Sequence, residues 1–311
     1  MNSRSIHIIL NPASAGGKTA SKKKEISTLA TRYVGSGWTM HCTDTKGHAE
    51  ELTKEVISTG AGLIIVVGGD GTIHEVLNGL MTSGRDNTHR CELGIISSGT
   101  GHGFAQSIGL PLSLEDQFAL IAGGRARWYD AAKIEYTTAS DTKASKYFIN
   151  ECQLGIGGSV VKRVGTQYKR LGGSFGFGLG TIQSVFSHKN QLLTLTSGTY
   201  DRITDSFTGV VIANGAFTGG GMNLAPYAQP DDGILDIVMM RDLSILQRLS
   251  SFPRIYSGSH VACPWFSYRR STSLHIESPE KVLIEADGEL LGTTPCTVEV
   301  VPSALQICCP N

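Results

Sequence analysis

The stretch from Leu63 to Leu80 constrains the fold more than any other part of the chain. It opens with five apolar residues, most of them β-branched, which is typical of a strand buried in a parallel sheet. The run breaks at Gly68-Gly69-Asp70-Gly71, and apolar residues then recur three and four positions apart, as on one helix face. The sequence therefore predicts a strand, a glycine turn and a helix. Ligands bind in such an arrangement beyond the carboxyl end of the strand.

The glycine turn has the chemistry of a phosphate site. Glycine has no Cβ, so the backbone can approach a ligand closely, and the free N–H groups at a helix start favour phosphate. Asp70 would repel phosphate on its own. Its presence therefore indicates a bridging Mg²⁺ ion or a proton transfer at the reacting centre. The alternative is a tight turn in which Asp70 only caps the helix.

This turn resembles that of the diacylglycerol kinase catalytic domain superfamily, which includes bacterial lipid kinases, sphingosine kinases and ceramide kinases. The similarity extends from Gly68-Gly69-Asp70-Gly71-Thr72 to Glu75-Val76 and Asn78-Gly79-Leu80. Phosphofructokinases and NAD kinases share only the glycine core. The resemblance implies an ATP-dependent lipid kinase that uses Mg²⁺. It also implies that the turn and the helix start bind the nucleotide, through Gly69, Asp70, Gly71, Thr72, Ile73, His74 and Glu75.

A second polar loop follows the strand Ile6–Leu10. Its end, Gly17-Lys18-Thr19, suggests a P-loop, but the first glycine of that motif would fall at Pro12. The loop instead resembles the Asn-Pro-x-Ser-Gly loop of diacylglycerol kinase domains, with Ala15 where glycine is usual. The resemblance implies nucleotide contacts from Asn11, Pro12, Ala13, Ser14 and Ala15. A plain connection between a strand and a helix is the alternative.

Two further loops each supply a threonine. Thr43 follows the strand Trp38–Cys42, and lipid kinases carry a similar threonine-led loop that contacts the nucleotide. Thr100 lies in a loop that resembles the family's Pro-x-Gly-Thr-Gly-Asn-Asp-Phe-Ala. The resemblance implies a nucleotide contact at each threonine. His102 and Gly103 replace the asparagine and aspartate of that pattern.

The pattern of apolar and polar residues changes near Trp128. Strands and helices alternate before it, which predicts an α/β domain with a parallel sheet over residues 1–128. Short alternating runs follow, which predict a mainly antiparallel β-sandwich over residues 129–299. The resemblance implies that the first domain is NAD kinase/phosphofructokinase-like and binds the nucleotide, and that the second binds the lipid. From the family's architecture, residues 300–311 are expected to return to the first domain. An apolar, glycine-rich segment over 155–186 is interpreted either as a cover over a lipid chain or as an ordinary core helix.

The segment Gln229–Asp236 resembles one that holds a structural Mg²⁺ in bacterial lipid kinases. By that resemblance, Asp232 supplies a carboxylate, and Gln229 and Ile234 supply backbone carbonyls. Hard cations prefer oxygen ligands of this kind. A β-turn built on Asp-Gly is the alternative.

Two acids flank a glycine near the end of the chain, at Asp287-Gly288-Glu289. Such a sequence is also typical of a hairpin turn. It resembles the Asp-Gly-Glu of the lipid kinases, in which the glutamate is assigned as the proton acceptor. The resemblance implies that Glu289 is the catalytic base with Asp287 beside it. The roles of Asp70 and Glu289 could be exchanged.

Composition limits the partners. The 311 residues carry a formal net charge of zero, which argues against a dedicated nucleic-acid binder. No apolar run approaches the roughly 20 residues of a membrane-spanning helix, and the polar start predicts no secretory signal. We expect a cytoplasmic enzyme that meets its lipid peripherally at a membrane surface. The acceptor is expected to be diacylglycerol or a related lipid such as a sphingoid base, although Ser159 replaces the acid with which sphingosine kinases bind the amine. A kinase of a soluble acceptor, as in NAD kinase, and a non-catalytic nucleotide- or lipid-binding protein are the alternatives.

Overall fold

A computed structural model describes residues 4–99, 101–168 and 173–310. The first part of the chain forms a parallel sheet of four strands in the order β2-β1-β3-β4. These strands are β1 (Ile6–Leu10), β2 (Trp38–Cys42), β3 (Leu63–Gly68) and β4 (Glu92–Ser97). Every residue of β3 is buried, as expected for a central strand covered on both faces.

Helices cover both faces of this sheet. They are α1 (Lys18–Ser21), α2 (Lys23–Val34), α3 (His48–Ser58), α4 (Asp70–Thr82), α5 (Arg85–Thr88), α6 (Gly103–Ser107) and α7 (Leu114–Ala122). Side chains alternate along a strand, so Ile64 and Val66 pack on one face while Ile65 and Val67 pack on the other. Helices α3 and α4 cover the first face, and α2 and α7 cover the second.

The remainder is mostly antiparallel sheet. Its strands are β5 (Ala126–Thr137), β6 (Lys143–Phe148), β7 (Glu151–Gly155), β8 (Gln191–Thr196), β9 (Ile203–Ala213), β10 (Phe217–Thr218), β11 (Met222–Asn223), β12 (Leu235–Arg241), β13 (Phe266–Ser271), β14 (Ser273–Glu277), β15 (Leu283–Ala286) and β16 (Glu289–Cys308). Strands β13-β12-β9-β7-β15-β16 are consecutive neighbours. One core lies inside the folded sheet, and Phe148, Phe207 and Ile284 are fully buried there.

Three helices lie against the outer face of the second part. They are α8 (Ile156–Arg163), which continues into a π-helical turn at Val164–Tyr168, α9 (Gly173–Ser187) and α10 (Ile245–Ser257). Helix α8 packs closely on the sheet, since a Cβ at Gly158 would lie 2.8 Å from Leu283. Glycine at position 158 therefore allows α8 to approach the sheet closely.

The long strand β16 joins the two parts. It pairs antiparallel with β5 along most of its length, and Gln306 and Ile307 pair in parallel with β4. The expected combination of an α/β part with a parallel sheet and a mainly antiparallel sandwich is confirmed. The division at residue 128 stays a prediction. No helix among residues 4–99, 101–168 and 173–310 is both long and apolar enough to cross a membrane.

Candidate active site

A single cavity of about 710 Å³ extends between the two parts of the fold. Loops at the carboxyl ends of β1, β2, β3 and β4 form one side, and β7, β15 and the start of β16 form another. Most of the candidate residues line it, namely Asn11, Pro12, Ala13, Ser14, Ala15, Thr43, Gly69, Asp70, Gly71, Thr72, Ile73, Glu75, Asp287 and Glu289. The structure therefore brings together candidate residues from three separate loops and the Asp-Gly-Glu turn.

The glycine loops meet backbone to backbone. A Cβ on Gly99 would lie 2.6 Å from the Cα of Gly69, which is closer than real side chains approach. A Cβ on Gly101 would lie 2.4 Å from Oδ2 of Asp70. Glycine at these positions is therefore required by the packing of one loop on another, in addition to any ligand.

The loop after β1 is held from the glycine turn. The side-chain amide of Asn11 donates to the hydroxyl of Thr72 at 2.9 Å, while its carbonyl oxygen accepts from the N–H of Ala13 at 3.0 Å. Ala15 has a φ of 54°, in the left-handed region that glycine adopts at least cost. This conformation explains why glycine is usual at that position of the motif.

Glu75 organises the loop that carries Thr43. Its carboxylate accepts hydrogen bonds from the N–H of Gly47 at 2.8 Å and the N–H of Ala49 at 3.1 Å. These N–H groups belong to the start of α3, where a carboxylate is favoured by the helix dipole. The N–H of Thr43 donates to the carbonyl of Leu10 at 2.9 Å. Glu75 thus positions a neighbouring loop beside the cavity.

Asp70 is mostly buried at the start of α4. The N–H groups of Gly103 and Phe104 donate to its carboxylate, but Oδ1 is buried without a hydrogen-bond partner among the described residues. Burial raises the pKa of this carboxyl, and the charge of Asp287 raises it further. A buried carboxylate oxygen with a free lone pair, on a residue that lines the cavity, fits a Mg²⁺ ion or its water.

Glu289 lies directly beside the glycine turn. Its Oε1 would be 3.5 Å from a Cβ on Gly71, and its Oε2 pairs with the ammonium of Lys46. Lys46 is largely exposed, so it can exchange this partner for a phosphate oxygen. Sequence reasoning missed Lys46, although it lies three residues after Thr43 in the same loop.

Asp287 is placed differently from Glu289. Its Oδ1 accepts from the N–H groups of Asn150 at 3.0 Å and Glu151 at 3.1 Å. Its Oδ2 accepts from the N–H of Ile149 at 3.0 Å and from Nδ1 of His74 at 3.0 Å. The bond from His74 joins the two parts of the fold, and the other three join two turns of the second part. His74 therefore faces Asp287 and does not line the cavity.

A buried pair of acids, Glu151 and Glu285, also lines the cavity and was missed in the sequence. Glu285 lies two residues before Asp287. Alternation along β15 places it on the face opposite Ile284 and Ala286, which are in the core. The alternation of β15 could therefore have indicated from the sequence that Glu285 faces the cavity. No local pattern indicates the same for Glu151 on β7.

Much of the remaining lining of this cavity is apolar and forms a channel. Residues of α8, α9, α10, β12 and the segments between them form its wall, among them Ile156, Val160, Val185, Met222, Leu224, Met240, Leu243, Phe252, Ile255 and Phe266. Arg248 also lines the cavity, but its guanidinium donates to carbonyls of Leu243, Val185 and His188. Polar loops and an apolar channel are thus continuous.

Thr100 lies outside the described residues. The loop around it differs from the family pattern at two neighbouring positions. His102 has a φ of 51° and its Nδ1 lies 2.7 Å from the hydroxyl of Ser97. A Cβ on Gly103 would lie 2.9 Å from the carbonyl of Phe217, so this backbone has no space for the aspartate of the family pattern.

The three residues predicted to hold a structural Mg²⁺ do not line the cavity. Asp232 pairs through Oδ2 with Arg270, and its Oδ1 accepts from the N–H of Ile234 at 3.1 Å. The described part of the chain contains no group of three or more His, Cys, Asp and Glu side chains arranged to hold a metal. Asp232 would have to leave Arg270 to bind a cation. A cation held by Gln229, Asp232 and Ile234 stays a prediction.

Two family models match this fold and cavity. Residues 5–134 match the diacylglycerol kinase catalytic domain. Residues 151–309 match the YegS C-terminal NAD kinase beta sandwich-like domain. The second match covers slightly more than half of the 311 residues. The resemblance drawn from the glycine turn and the Asp-Gly-Glu segment is confirmed, and the protein is an ATP-dependent kinase. The chain belongs to the family of kinases that carry this YegS-type C-terminal domain.

Named relatives agree with this assignment. The chain is 28% identical over 308 residues to a protein of Shewanella frigidimarina named probable lipid kinase YegS-like, covering 98% of this chain and 94% of that protein. It is 27% identical over 264 residues to a diacylglycerol kinase of Mycobacterium tuberculosis, covering 85% and 82%. A crystal structure of a candidate diacylglycerol kinase from Bacillus anthracis superposes with a TM-score of 0.79 at 25% identity, covering 99% of this chain and 97% of that one.

Proposed function

We propose that this protein is a lipid kinase that transfers the γ-phosphate of Mg-ATP to a lipid hydroxyl, on diacylglycerol or a related lipid such as a sphingoid base. The observation that carries the proposal is the continuity of the cavity. Glycine loops and carboxylates at one part of it run directly into a channel walled by Val160, Met240, Phe266 and other apolar residues. A soluble acceptor has no use for such a channel, whereas a lipid chain is stabilised there by burial of its surface.

The residues have distinct roles in this proposal. Backbone N–H groups at the start of α4 and of the loop after β1 bind the phosphates of ATP. Asp70, with its free buried Oδ1, would hold Mg²⁺, which neutralises phosphate charge when bound. Glu289 accepts the proton of the lipid hydroxyl. The hydroxyl oxygen forms a bond to the γ-phosphorus while the bond between that phosphorus and the oxygen of the leaving ADP breaks. Lys46 then moves from Glu289 toward the phosphates.

Two helices of the channel wall also present an apolar outer surface. Ile182 and Phe186 of α9 are about half exposed, and Leu246 of α10 is 79% exposed. Residues of the same helices, such as Val185 and Phe252, line the channel from inside. We propose that this surface contacts a membrane peripherally, so that a lipid can enter the channel from the bilayer.

The test is transfer of labelled γ-phosphate from Mg-ATP to a panel of lipids in mixed micelles. Asp70→Asn should abolish transfer because the amide removes the charge that holds Mg²⁺, while the exposed control Asp201→Asn should not change it. Near-normal transfer by Asp70→Asn would refute the role of Asp70. ATP binding without transfer to any lipid would instead favour a soluble acceptor or a binding protein.

The channel is tested separately. Val160→Phe adds volume inside the channel wall and should shift the preferred acyl chain to a shorter length, without changing the affinity for ATP. Leu192→Phe, on an exposed strand, is the matched control. An unchanged chain-length profile in Val160→Phe would show that the lipid chain lies elsewhere.

A further inference from the structure

The carboxyl pair Glu151–Glu285 is placed by two adjacent strands. Strands β7 and β15 are antiparallel neighbours, with Glu285 opposite Gln153 and Ala286 opposite Cys152. Cys152 and Ala286 face the core inside the folded sheet, so the alternate residues face the opposite side. That side is the cavity. Both glutamates therefore line the cavity that the polar loops and the apolar channel share.

The pair is buried and incompletely bonded. Glu151 is 4% exposed and Glu285 is 1% exposed. The hydroxyl of Thr218 donates to Oε1 of Glu151 at 2.5 Å, and the N–H of Gly288 donates to Oε2 of Glu285 at 3.0 Å. Oε2 of Glu151 is buried without a donor among the described residues, unless Glu285 is protonated and donates to it. Buried polar atoms without a partner are rare, and a water molecule, an ion or a ligand can complete them.

The electrostatics of the pair indicate a shared proton and a missing cation. Burial is the main cause that raises the pKa of Glu151 to about 7; the charge of Asp287 also raises it, whereas hydrogen bonds from Thr218, Gln153 and Glu285 oppose the rise. Burial raises the pKa of Glu285 well above its usual range, and the charges of Glu151 and Asp287 raise it as well. Two cations line the cavity, among the described residues. Lys46 is paired with Glu289, and Arg248 is bonded to carbonyls. The charge of the pair is therefore left uncompensated in a buried place, which is costly.

We infer that the Glu151–Glu285 pair binds the protonated amine of an amino-alcohol lipid, beside the hydroxyl that receives the phosphate. This inference rests on the proposed lipid kinase activity and names its acceptor class. An ammonium has several donors, which suit the free oxygen of Glu151, and its charge completes the pair. Ala286 is paired with Glu289 across the turn, so the pair lies close to the proposed base. In a lipid with an amine and a hydroxyl on neighbouring carbons, the amine would reach the glutamate pair while the hydroxyl reaches Glu289.

The test compares three lipids of matched chain length in mixed micelles: sphinganine, N-acetylsphinganine and diacylglycerol. N-acetylation removes the positive charge of the amine, adds a small acetyl group and leaves the hydroxyl that receives the phosphate. We expect wild-type kcat/KM for sphinganine to exceed that for the N-acetyl lipid by about tenfold or more. Glu151→Gln and Glu285→Gln should each remove most of this preference. Glu299→Gln, an exposed glutamate on β16, should leave it unchanged.

A pH series gives a second readout. Wild-type KM for sphinganine should fall as pH rises through about 7, because Glu151 ionises and attracts the amine more strongly. Glu151→Gln should remove that dependence. Thermal melting checks that both glutamine variants fold.

The outcomes separate the two proposals. An equal preference in wild type and both glutamine variants, or wild-type preference for the neutral lipids, refutes the amine site and leaves the lipid kinase activity standing. Transfer to none of the three lipids, with ATP bound, refutes both.

Discussion

Asp287 gives the sharpest test of the site, because the structure assigns it a task different from catalysis. Its side chain is 1% exposed, and its two oxygens accept four hydrogen bonds from three backbone N–H groups and His74. Asp287→Asn replaces one oxygen by an NH₂ group. In either orientation of the amide, the NH₂ group faces two of the four donors and cannot accept a hydrogen bond from them.

The cost follows from this geometry. Two buried donors lose their acceptor, at about 1–3 kcal/mol each, so we expect the free energy of unfolding to fall by roughly 3 kcal/mol. For a chain of this size that is a fall in Tm of roughly 5 °C. Urea unfolding followed by circular dichroism measures the first quantity, and calorimetry measures the second. Activity per folded molecule should fall less steeply than it does for a lost catalytic base.

A matched control shows how much a change from aspartate to asparagine costs in a left-handed backbone conformation when no buried hydrogen bonds are lost. Asp141 has a φ of 58°, close to the 48° of Asp287, and lies on an exposed hairpin. Asparagine tolerates this region, so Asp141→Asn should change the free energy of unfolding by no more than about 0.5 kcal/mol. If Asp287→Asn were as stable as wild type but lost turnover more than about 100-fold, the anchoring role would be refuted and a catalytic role for Asp287 favoured.

Two further predictions concern other parts of the cavity. Gly101→Ala places a Cβ 2.4 Å from Oδ2 of Asp70, so kcat should fall about tenfold or more, whereas Gly198→Ala meets open space and should have no effect in the same ATP turnover assay. Glu151 has a folded-state pKa of about 7 against 4.5 for the free side chain, so the folded protein should lose stability as pH rises between those values. Melting temperatures against pH should show that loss in wild type and a flatter profile in Glu151→Gln.

Most of the fold could be predicted from the sequence because the patterns that specify its strands and helices are local. The apolar run before Gly68 and the helical spacing after Asp70 specify a strand and a helix whatever the surroundings. Alternating runs after Trp128 specify antiparallel strands in the same way. The length of β16 was not predictable, because Pro295 and Pro302 interrupt its pattern and only pairing with β5 shows that one strand passes through both.

The candidate site was predictable where a motif carried the chemistry and less so elsewhere. Asp70, Glu75 and Glu289 lie where the motifs indicate, beside one cavity. The motif could not separate the task of Asp287 from that of Glu289, because the hydrogen bonds that occupy Asp287 come from a different strand turn. The place of Glu151 in the site was not predictable, since it depends on contact with Glu285, which is more than a hundred residues away in the chain.

The turn between β15 and β16 shows how one short segment gives three acids three environments. Glu285 is the last strand residue on the cavity face, and it meets Glu151 in a buried pair. Asp287 adopts a left-handed conformation that turns its carboxylate back onto the N–H groups of the neighbouring strand turn. Glu289 begins the next strand and faces Lys46 and the open cavity. Because the same hairpin fixes all three, a change that shifts Asp287 should move the proposed base and the proposed amine site together, and coupled losses in Asp287→Asn would be the signature of that linkage.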